Sequence, residues 1–203
     1  MLKPLQLLWV ETDMGKRGYR KKGKEKPFYD GVEFDSIDEV QFYMWLKAAE
    51  KAGLVGKWIY HPPTIEVLPA FKEKVVDVIQ LKTKSKVVEH TKTILHNASY
   101  TPDFQIFAIP DSRIRAFFRV SSDGIYWVDV KGKFSGSVHG GEMKYFSLLT
   151  KVLWYLKHIF INKIIVRDLT EATFCPDELK VTKTGKPSTI FKGHKTLKEF
   201  IHA

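Results

Sequence analysis

Residues 125–166 are predicted to form a strand, a helix and a second strand in close succession. The first strand covers residues 125–130 (IYWVDV) and follows the turn dipeptide Asp123-Gly124. A glycine-rich loop then leads to a helix over residues 142–158, and a strand over residues 161–166 follows. A crossover of this length places its two strands parallel in one sheet. The helix is predicted to pack through apolar residues at helical spacing: Tyr145, Leu148, Leu149, Val152 and Leu156.

A second helix is predicted upstream, where Ser36 and Glu39 stand in the S-x-x-E relation of a capping box. This helix is predicted to end at Gly53. Strands are predicted at residues 57–60, 64–68, 75–81, 86–95 and 100–109, and the last of these is expected to pair with 125–130. The 203 residues are of a length typical of one compact domain of mixed α/β class.

The charge of the chain is strongly positive and unevenly distributed. There are 33 Lys+Arg against 23 Asp+Glu, for a formal net charge of +10, which favours a polyanionic partner and nucleic acid above all. Residues 15–26 carry seven Lys/Arg and almost nothing apolar. This segment is either a solvated linker or an arm that neutralises phosphates. The arm residues proposed to bind nucleic acid are Lys16, Arg17, Arg20, Lys21 and Lys22.

Neither a membrane span nor a disulfide framework is expected. No window approaches the roughly 18 uninterrupted apolar residues that a span requires. Cys175 is the only cysteine, which fits a reducing compartment, and we expect a cytoplasmic protein.

Asp129 and Lys131 stand two apart on the strand 125–130, so their side chains project from the same face. This pair alone is compatible with a simple ion pair. Asp103 lies 26 positions upstream, at the start of the neighbouring predicted strand, and could bring a second carboxylate to the same place. Paired carboxylates at a sheet end suit Mg²⁺, and the adjacent lysine would orient water or stabilise charge on a phosphate.

The ordered set of Phe34-Asp35-Ser36, Tyr100 to Phe104 and Val128 to Gly132 resembles the PD-(D/E)XK nuclease superfamily. The resemblance covers about residues 32–166 and is closest to phage-type endonucleases grouped with Holliday-junction resolvases. It implies a restriction-endonuclease-like core, a central mixed sheet flanked by helices in the order αβββαβ. The chain departs from the pattern at the long segment 71–99 and at His61, where relatives often have glutamine.

The resemblance implies a metal site and a catalytic lysine. Glu39 is the carboxylate contributed by the helix, Asp103 and Asp129 are the other metal ligands, and Lys131 is the catalytic lysine. Asp38 is the alternative to Glu39. Gln105, on the strand face of Asp103, could support the site, although an ordinary polar strand residue is the simpler interpretation. The implied cofactor is Mg²⁺, for which Mn²⁺ can substitute.

These features predict an endonuclease that hydrolyses DNA backbone phosphodiesters. Lys144 and Lys151, seven apart on the second helix, could contact phosphates. Branched DNA and a homodimer are the expected substrate and assembly, with linear DNA and RNA left open, and the host cytoplasm the location if the source is a phage. The predicted divisions are a strand and basic arm at 1–31, the nuclease domain at 32–168 and a basic extension at 169–203.

Two rival functions remain. The first is the endonuclease subunit of a heteromeric transposase, which shares the Tyr-Thr-Pro-Asp-Phe pattern. The second is a catalytically silent nucleic-acid-binding domain on the same fold, which the joint presence of Asp103, Asp129 and Lys131 disfavours.

Overall fold

The computed structural model describes residues 25–132, 140–182 and 185–203, with the backbone alone described for 140–144. The predicted strand and arm residues up to position 24 lie outside these ranges. No helix in the described segments is long and apolar enough to cross a lipid bilayer. The elements, in chain order, are β1 (Phe28–Tyr29), β2 (Val32–Glu33), α1 (Ile37–Lys51), β3 (Trp58–Tyr60), β4 (Ile65–Leu68), β5 (Phe71–Gln80), β6 (Ser85–Leu95), β7 (Ala98–Tyr100), β8 (Phe104–Phe107), a 3₁₀ helix (Arg113–Ala116), β9 (Ile125–Val130), α2 (Gly140–Lys157), β10 (Ile161–Ile164), α3 (Val166–Ala172), α4 (Asp177–Lys180) and α5 (Leu197–His202).

A four-stranded mixed sheet organises the fold. Its strand order is β10-β9-β8-β3, with β9 and β10 parallel and the other pairs antiparallel. The predicted crossover and the pairing of β8 with β9 are therefore confirmed. All six residues of β9 are buried, as expected of a central strand covered on both faces. Together with α1 and α2, the sheet strands follow one another as α1, β3, β8, β9, α2 and β10.

Helix α1 begins as its sequence predicts. The Ser36 hydroxyl accepts a hydrogen bond from the Glu39 N–H at 3.2 Å, which satisfies one of the donors left free at a helix N-terminus. Past the C-terminus, Gly53 adopts a φ of +68°, a left-handed conformation that favours glycine. Phe42 and Trp45 are fully buried, and the Phe42 ring packs edge-on against Phe104 of the sheet at 5.0 Å between centroids.

The sheet separates two hydrophobic cores. The larger lies between the sheet and α1, and it includes residues from the C-terminal extension. There Phe174 stacks on Trp45 at 5.4 Å between ring centroids, and the Trp45 indole N–H donates to Thr173. The smaller core lies on the α2 side, around Trp127, Leu149 and Leu153. Residues 169–203 thus pack on the same core as α1 instead of standing apart from it.

The predicted single strand 100–109 is wrong, because the chain breaks into β7 and β8. Pro102 lies in the break, where it has no N–H to donate to a sheet. β7 pairs with β4 in a separate two-stranded sheet, whereas β8 joins the central sheet. The break therefore moves the chain from one sheet to the other, directly before Asp103.

The predicted packing face of α2 is correct at Leu149, which is buried, and at Val152, which packs against the smaller core, but it is wrong at its other three residues. Tyr145, Leu148 and Leu156 are 60%, 62% and 47% exposed, whereas Leu153, which the periodicity did not select, is fully buried. The helix has more apolar residues than one face can hold, and its sequence cannot show which stripe meets the sheet. An apolar stripe defined by Tyr145, Leu148, Tyr155 and Leu156 consequently faces solvent.

β5 and β6 form a long antiparallel hairpin, confirming the two strands predicted around a lysine-rich turn. Its register runs from Lys72 opposite Thr93 to Gln80 opposite Ser85. Nearly all of its side chains are exposed.

Candidate active site

Asp103 and Asp129 come together on one face of the central sheet. Phe104 pairs with Val128, and continuing this antiparallel register by one step places Asp103 opposite Asp129. Residues directly opposite each other on paired strands project to the same face. Asp129 is only 4% exposed. Two carboxylates from different strands therefore meet at one end of the sheet, as the sequence predicts.

The Asp103 side chain is held by the backbone of β9. Its Oδ2 accepts a hydrogen bond of 2.6 Å from the Val130 N–H. Burial and the negative charge of Asp129 raise the pKa of Asp103 to about 7, against the lowering effect of the Val130 hydrogen bond. The charge of Glu39 raises this pKa further, whereas Lys131 lowers it. Three neighbouring charged groups therefore act on Asp103.

Lys131 lies beside Asp129. Its Nζ is 2.7 Å from Asp129 Oδ2, and its backbone N–H donates to the Ile164 carbonyl at 2.8 Å, which ties the end of β9 to β10. The ammonium also lies 5.4 Å from the centroid of the Phe146 ring on α2. The contact with Asp129 is an ion pair without hydrogen-bond geometry. Within the described residues, Asp129 Oδ2 is a buried acceptor with no hydrogen bond.

Glu39 serves the helix N-terminus and faces the site. Its carboxylate is buried and accepts hydrogen bonds from the Ser36 hydroxyl at 2.8 Å, the Asp35 N–H at 3.2 Å and the Tyr60 hydroxyl at 2.8 Å. The capping role and a role in the site are therefore compatible. The alternative, Asp38, lies beside Gly132, the residue after Lys131. A Cβ added to Gly132 would lie 3.2 Å from the Asp38 Oδ2 atom.

Two tyrosines join the site that sequence reasoning did not select. Tyr60 orients Glu39, and the buried Tyr100 hydroxyl lies close to the Asp129 carboxylate. Burial and the charges of Asp129 and Asp103 raise the pKa of Tyr100. Tyr100 could have been found from its place in the Tyr-x-x-Asp-Phe pattern. No sequence signal connects Tyr60 to Glu39, 21 residues away.

The other predicted binding residues are placed less closely. Gln105 is half-buried on β8, opposite Trp127. Lys151 is exposed on α2. The Lys144 side chain and the arm residues Lys16 to Lys22 lie outside the described part of the chain.

A second group of side chains could offer ligand atoms to a metal ion. Ligand atoms of Asp35, Glu39 and His61 lie within 4.8 Å of one another, and no other three such residues in the described segments are this close. Asp35 and His61 are exposed, with His61 Nε2 3.5 Å from Asp35 Oδ2, and Asp35 also pairs with Lys26 at 2.9 Å. Glu39 belongs to this group, and its negative charge also acts on Asp103.

No protein-family model, curated protein sequence or solved structure matches the chain. Closely placed, buried carboxylates with few internal donors suit a hard divalent cation that prefers oxygen ligands. The pKa of Asp103, raised by burial and by the negative charge of Asp129, fits a carboxylate pair whose repulsion such a cation would relieve.

Proposed function

We propose that the chain is a Mg²⁺-dependent DNA endonuclease with a restriction-endonuclease-like core of the PD-(D/E)XK superfamily. The observation that carries this proposal is the convergence of Asp103 and Asp129 at one sheet end, with the Lys131 ammonium 2.7 Å from Asp129 Oδ2. A purely structural ion pair would not need a second buried carboxylate beside it, because that carboxylate adds repulsion.

Asp103, Asp129 and Glu39 would hold the cation. When bound, Mg²⁺ polarises a phosphoryl oxygen and lowers the pKa of a coordinated water. Lys131 places a fixed positive charge beside Asp129, where it stabilises negative charge developing on the phosphate. Tyr60 fixes the Glu39 carboxylate through its 2.8 Å hydrogen bond. Mn²⁺, which also accepts oxygen ligands, should substitute.

The proposed substrate class rests on the positive net charge of the chain. The net charge of +10 favours a polyanion, and a phosphodiester is the bond that this arrangement of carboxylates and lysine can hydrolyse. We propose branched DNA, such as a four-way junction, as the preferred form.

A homodimer suits this substrate, because a four-way junction has approximate two-fold symmetry and requires paired incisions. The exposed α2 stripe supports this assembly. It lies on the helix whose Phe146 contacts Lys131, so a second copy docked there would hold two sites close together.

The test is cleavage of matched four-way, flapped and linear duplexes with Mg²⁺ or with EDTA. We expect cleavage only with Mg²⁺, greatest on the junction, and none from Asp129→Asn under the same conditions. Binding of all three substrates without cleavage would favour a silent nucleic-acid-binding domain, and cleavage in EDTA would overturn the metal mechanism.

A further inference from the structure

The β5–β6 hairpin has two chemically different faces. Its register and the alternation of side chains along each strand define them. We call one the front face; it comprises Lys72, Lys74, Val76, Val78, Gln80, Ser85, Val87, Glu89, Thr91 and Thr93. The opposite side is the back face; it comprises Glu73, Val75, Asp77, Ile79, Lys86, Val88, His90 and Lys92.

Positive charge is concentrated on the front face and the turn. The front face has two lysines against Glu89, and the turn adds Lys82 and Lys84. The back face has two lysines against two acids, and its Asp77 lies 3.5 Å from His90. None of the hairpin's six lysines forms an ion pair with another described residue. The front face therefore offers uncompensated charge to a partner.

An apolar patch lies in the middle of the front face. Val78 and Val87 form a cross-strand pair, 65% and 63% exposed, and Val76 beside them is 55% exposed. Lysines lie on both sides of this patch, and the hydroxyl and amide groups of Thr91, Ser85 and Gln80 share its face. A partner of this narrow strip must therefore carry negative charge, hydrogen-bonding groups and a small apolar surface close together.

A second copy of the chain fits this strip poorly. Each copy would bring the same excess of lysines, so the two front faces would repel one another. The area is also small: ten residues at about 3.3 Å each give a face roughly 33 Å long. At a width of about 10 Å this is far below the roughly 800 Å² that each partner buries in a standard interface.

We propose that the front face of the β5–β6 hairpin lies in the major groove of duplex DNA. This inference rests on the proposed function, because it names how the substrate duplex is held. A groove about 12 Å wide admits a two-stranded ribbon. Lys72, Lys74 and the turn lysines contact phosphates, and the valine patch contacts thymine methyl groups, the apolar groups that the major groove presents. The partner is thus A·T-containing duplex DNA beside the cleavage site.

The first test compares equal charge losses on the two faces of the full chain. Binding to a 30-base-pair duplex in EDTA is measured by fluorescence anisotropy across a salt series. Lys72→Gln/Lys74→Gln should flatten the slope of log affinity against log salt by about 1.8, at about 0.9 per lost phosphate contact. The matched control, Lys86→Gln/Lys92→Gln on the back face, should leave the slope nearly unchanged. Equal effects of the two variants, or no binding by the wild type, would overturn the inference.

The second test removes the methyl groups from the DNA. Replacing thymine by uracil should weaken wild-type binding several-fold, and Val78→Ser/Val87→Ser should weaken binding to the thymine duplex and become insensitive to uracil. A wild type indifferent to uracil would exclude the major-groove contact. Sedimentation velocity of the same Val78→Ser/Val87→Ser variant tests whether a second copy of the chain occupies the patch instead. If the wild type is a dimer and the variant is a monomer, the patch is a contact between two copies.

The two proposals fail separately. Face-specific binding without Mg²⁺-dependent cleavage would overturn the nuclease proposal and leave the hairpin inference intact. Normal Mg²⁺-dependent cleavage, with equal DNA binding by the front-face and back-face lysine variants, would overturn the hairpin inference and leave the nuclease proposal intact.

Discussion

The carboxylate of Asp103 accepts a 2.6 Å hydrogen bond from the backbone N–H of Val130, the residue after Asp129. This bond fixes the start of β8 against the end of β9 and holds one carboxylate next to another. The arrangement costs stability, because burial and the Asp129 charge both disfavour ionised Asp103. Such a cost at a sheet end is typical of a site built for a cation.

Asp103→Asn should abolish cleavage and stabilise the metal-free protein. Asparagine can still accept from the Val130 N–H, and it removes a charge that burial and Asp129 oppose. In EDTA at pH 8 we expect the melting temperature to rise by at least about 2 °C, the shift that about 1 kcal/mol produces in a chain of this size. The exposed Asp111→Asn is the matched control and should change neither property. A fall in melting temperature would show that the ionised carboxylate stabilises the fold.

Stability of the metal-free protein should depend on the ionisation of Asp103. Its pKa in the folded state lies above the unfolded value of about 3.9, so the folded state retains the proton more strongly. This contribution to stability is therefore complete below about pH 4 and is lost as pH rises through about 7. Subtracting the profile of Asp103→Asn from that of the wild type, both by thermal unfolding in EDTA, isolates it. Mg²⁺ should stabilise the wild type more at pH 8 than at pH 5, because the ligand must be deprotonated.

Lys131→Ala should act on stability in the opposite direction. Removing the ammonium 2.7 Å from Asp129 Oδ2 leaves two buried carboxylates without their nearest cation. We expect a lower melting temperature in EDTA, partly restored by Mg²⁺, together with at least about a 10²-fold loss of cleavage rate at saturating DNA. Lys198→Ala, at an exposed position on α5, is the matched lysine control for cleavage. An unchanged cleavage rate in Lys131→Ala would remove that residue from the mechanism.

Metal titration distinguishes the two carboxylate groups. If the cation lies at Asp103 and Asp129, then Asp103→Asn weakens Mn²⁺ binding at least tenfold and His61→Ala leaves it nearly unchanged. The reverse result would assign the metal to the group of Asp35, Glu39 and His61. Mn²⁺ is observed directly by its electron paramagnetic resonance signal, so the measurement does not depend on cleavage. Ca²⁺ should support DNA binding but little cleavage, because its looser coordination misplaces the attacking water.

The exposed α2 stripe should mediate the homodimer. Leu148→Glu places a charge on a residue that is 62% exposed in the single chain, so it should dissociate the dimer without unfolding the monomer. Lys157→Glu, an exposed position on the opposite side of α2 from the stripe, is the matched control and should leave the dimer intact. Sedimentation velocity gives the mass of each species. Identical behaviour of the two variants would exclude this stripe as the interface.

Local chemistry explains which elements could be predicted. The Ser36–Glu39 relation starts α1, Gly53 ends its last turn, and Asp123-Gly124 precedes β9. Each signal acts within a few residues of chain, so it survives in the tertiary structure. The same holds for the Asp129–Lys131 spacing, because alternation along a strand puts both side chains on one face.

The failures have a different origin. The exposed stripe of α2 was predicted to be its buried face, since periodicity reports an apolar stripe and not what covers it. Tyr60 and Glu39 are brought together by β3 crossing beside α1, and no local pattern encodes that contact.

The sequence by itself determined the elements, the parallel crossover and the presence of a carboxylate–lysine pair on β9. Only the tertiary structure decided that Pro102 ends one sheet before Asp103 enters another, that Asp103 then meets Asp129 across the ladder, and that the hairpin carries an excess of lysine over acidic residues on one face. The physical reason is the distance along the chain over which each kind of interaction acts. Backbone propensities and side-chain alternation are fixed by neighbouring residues, whereas burial, charge coupling and exposed faces depend on which distant segments pack together.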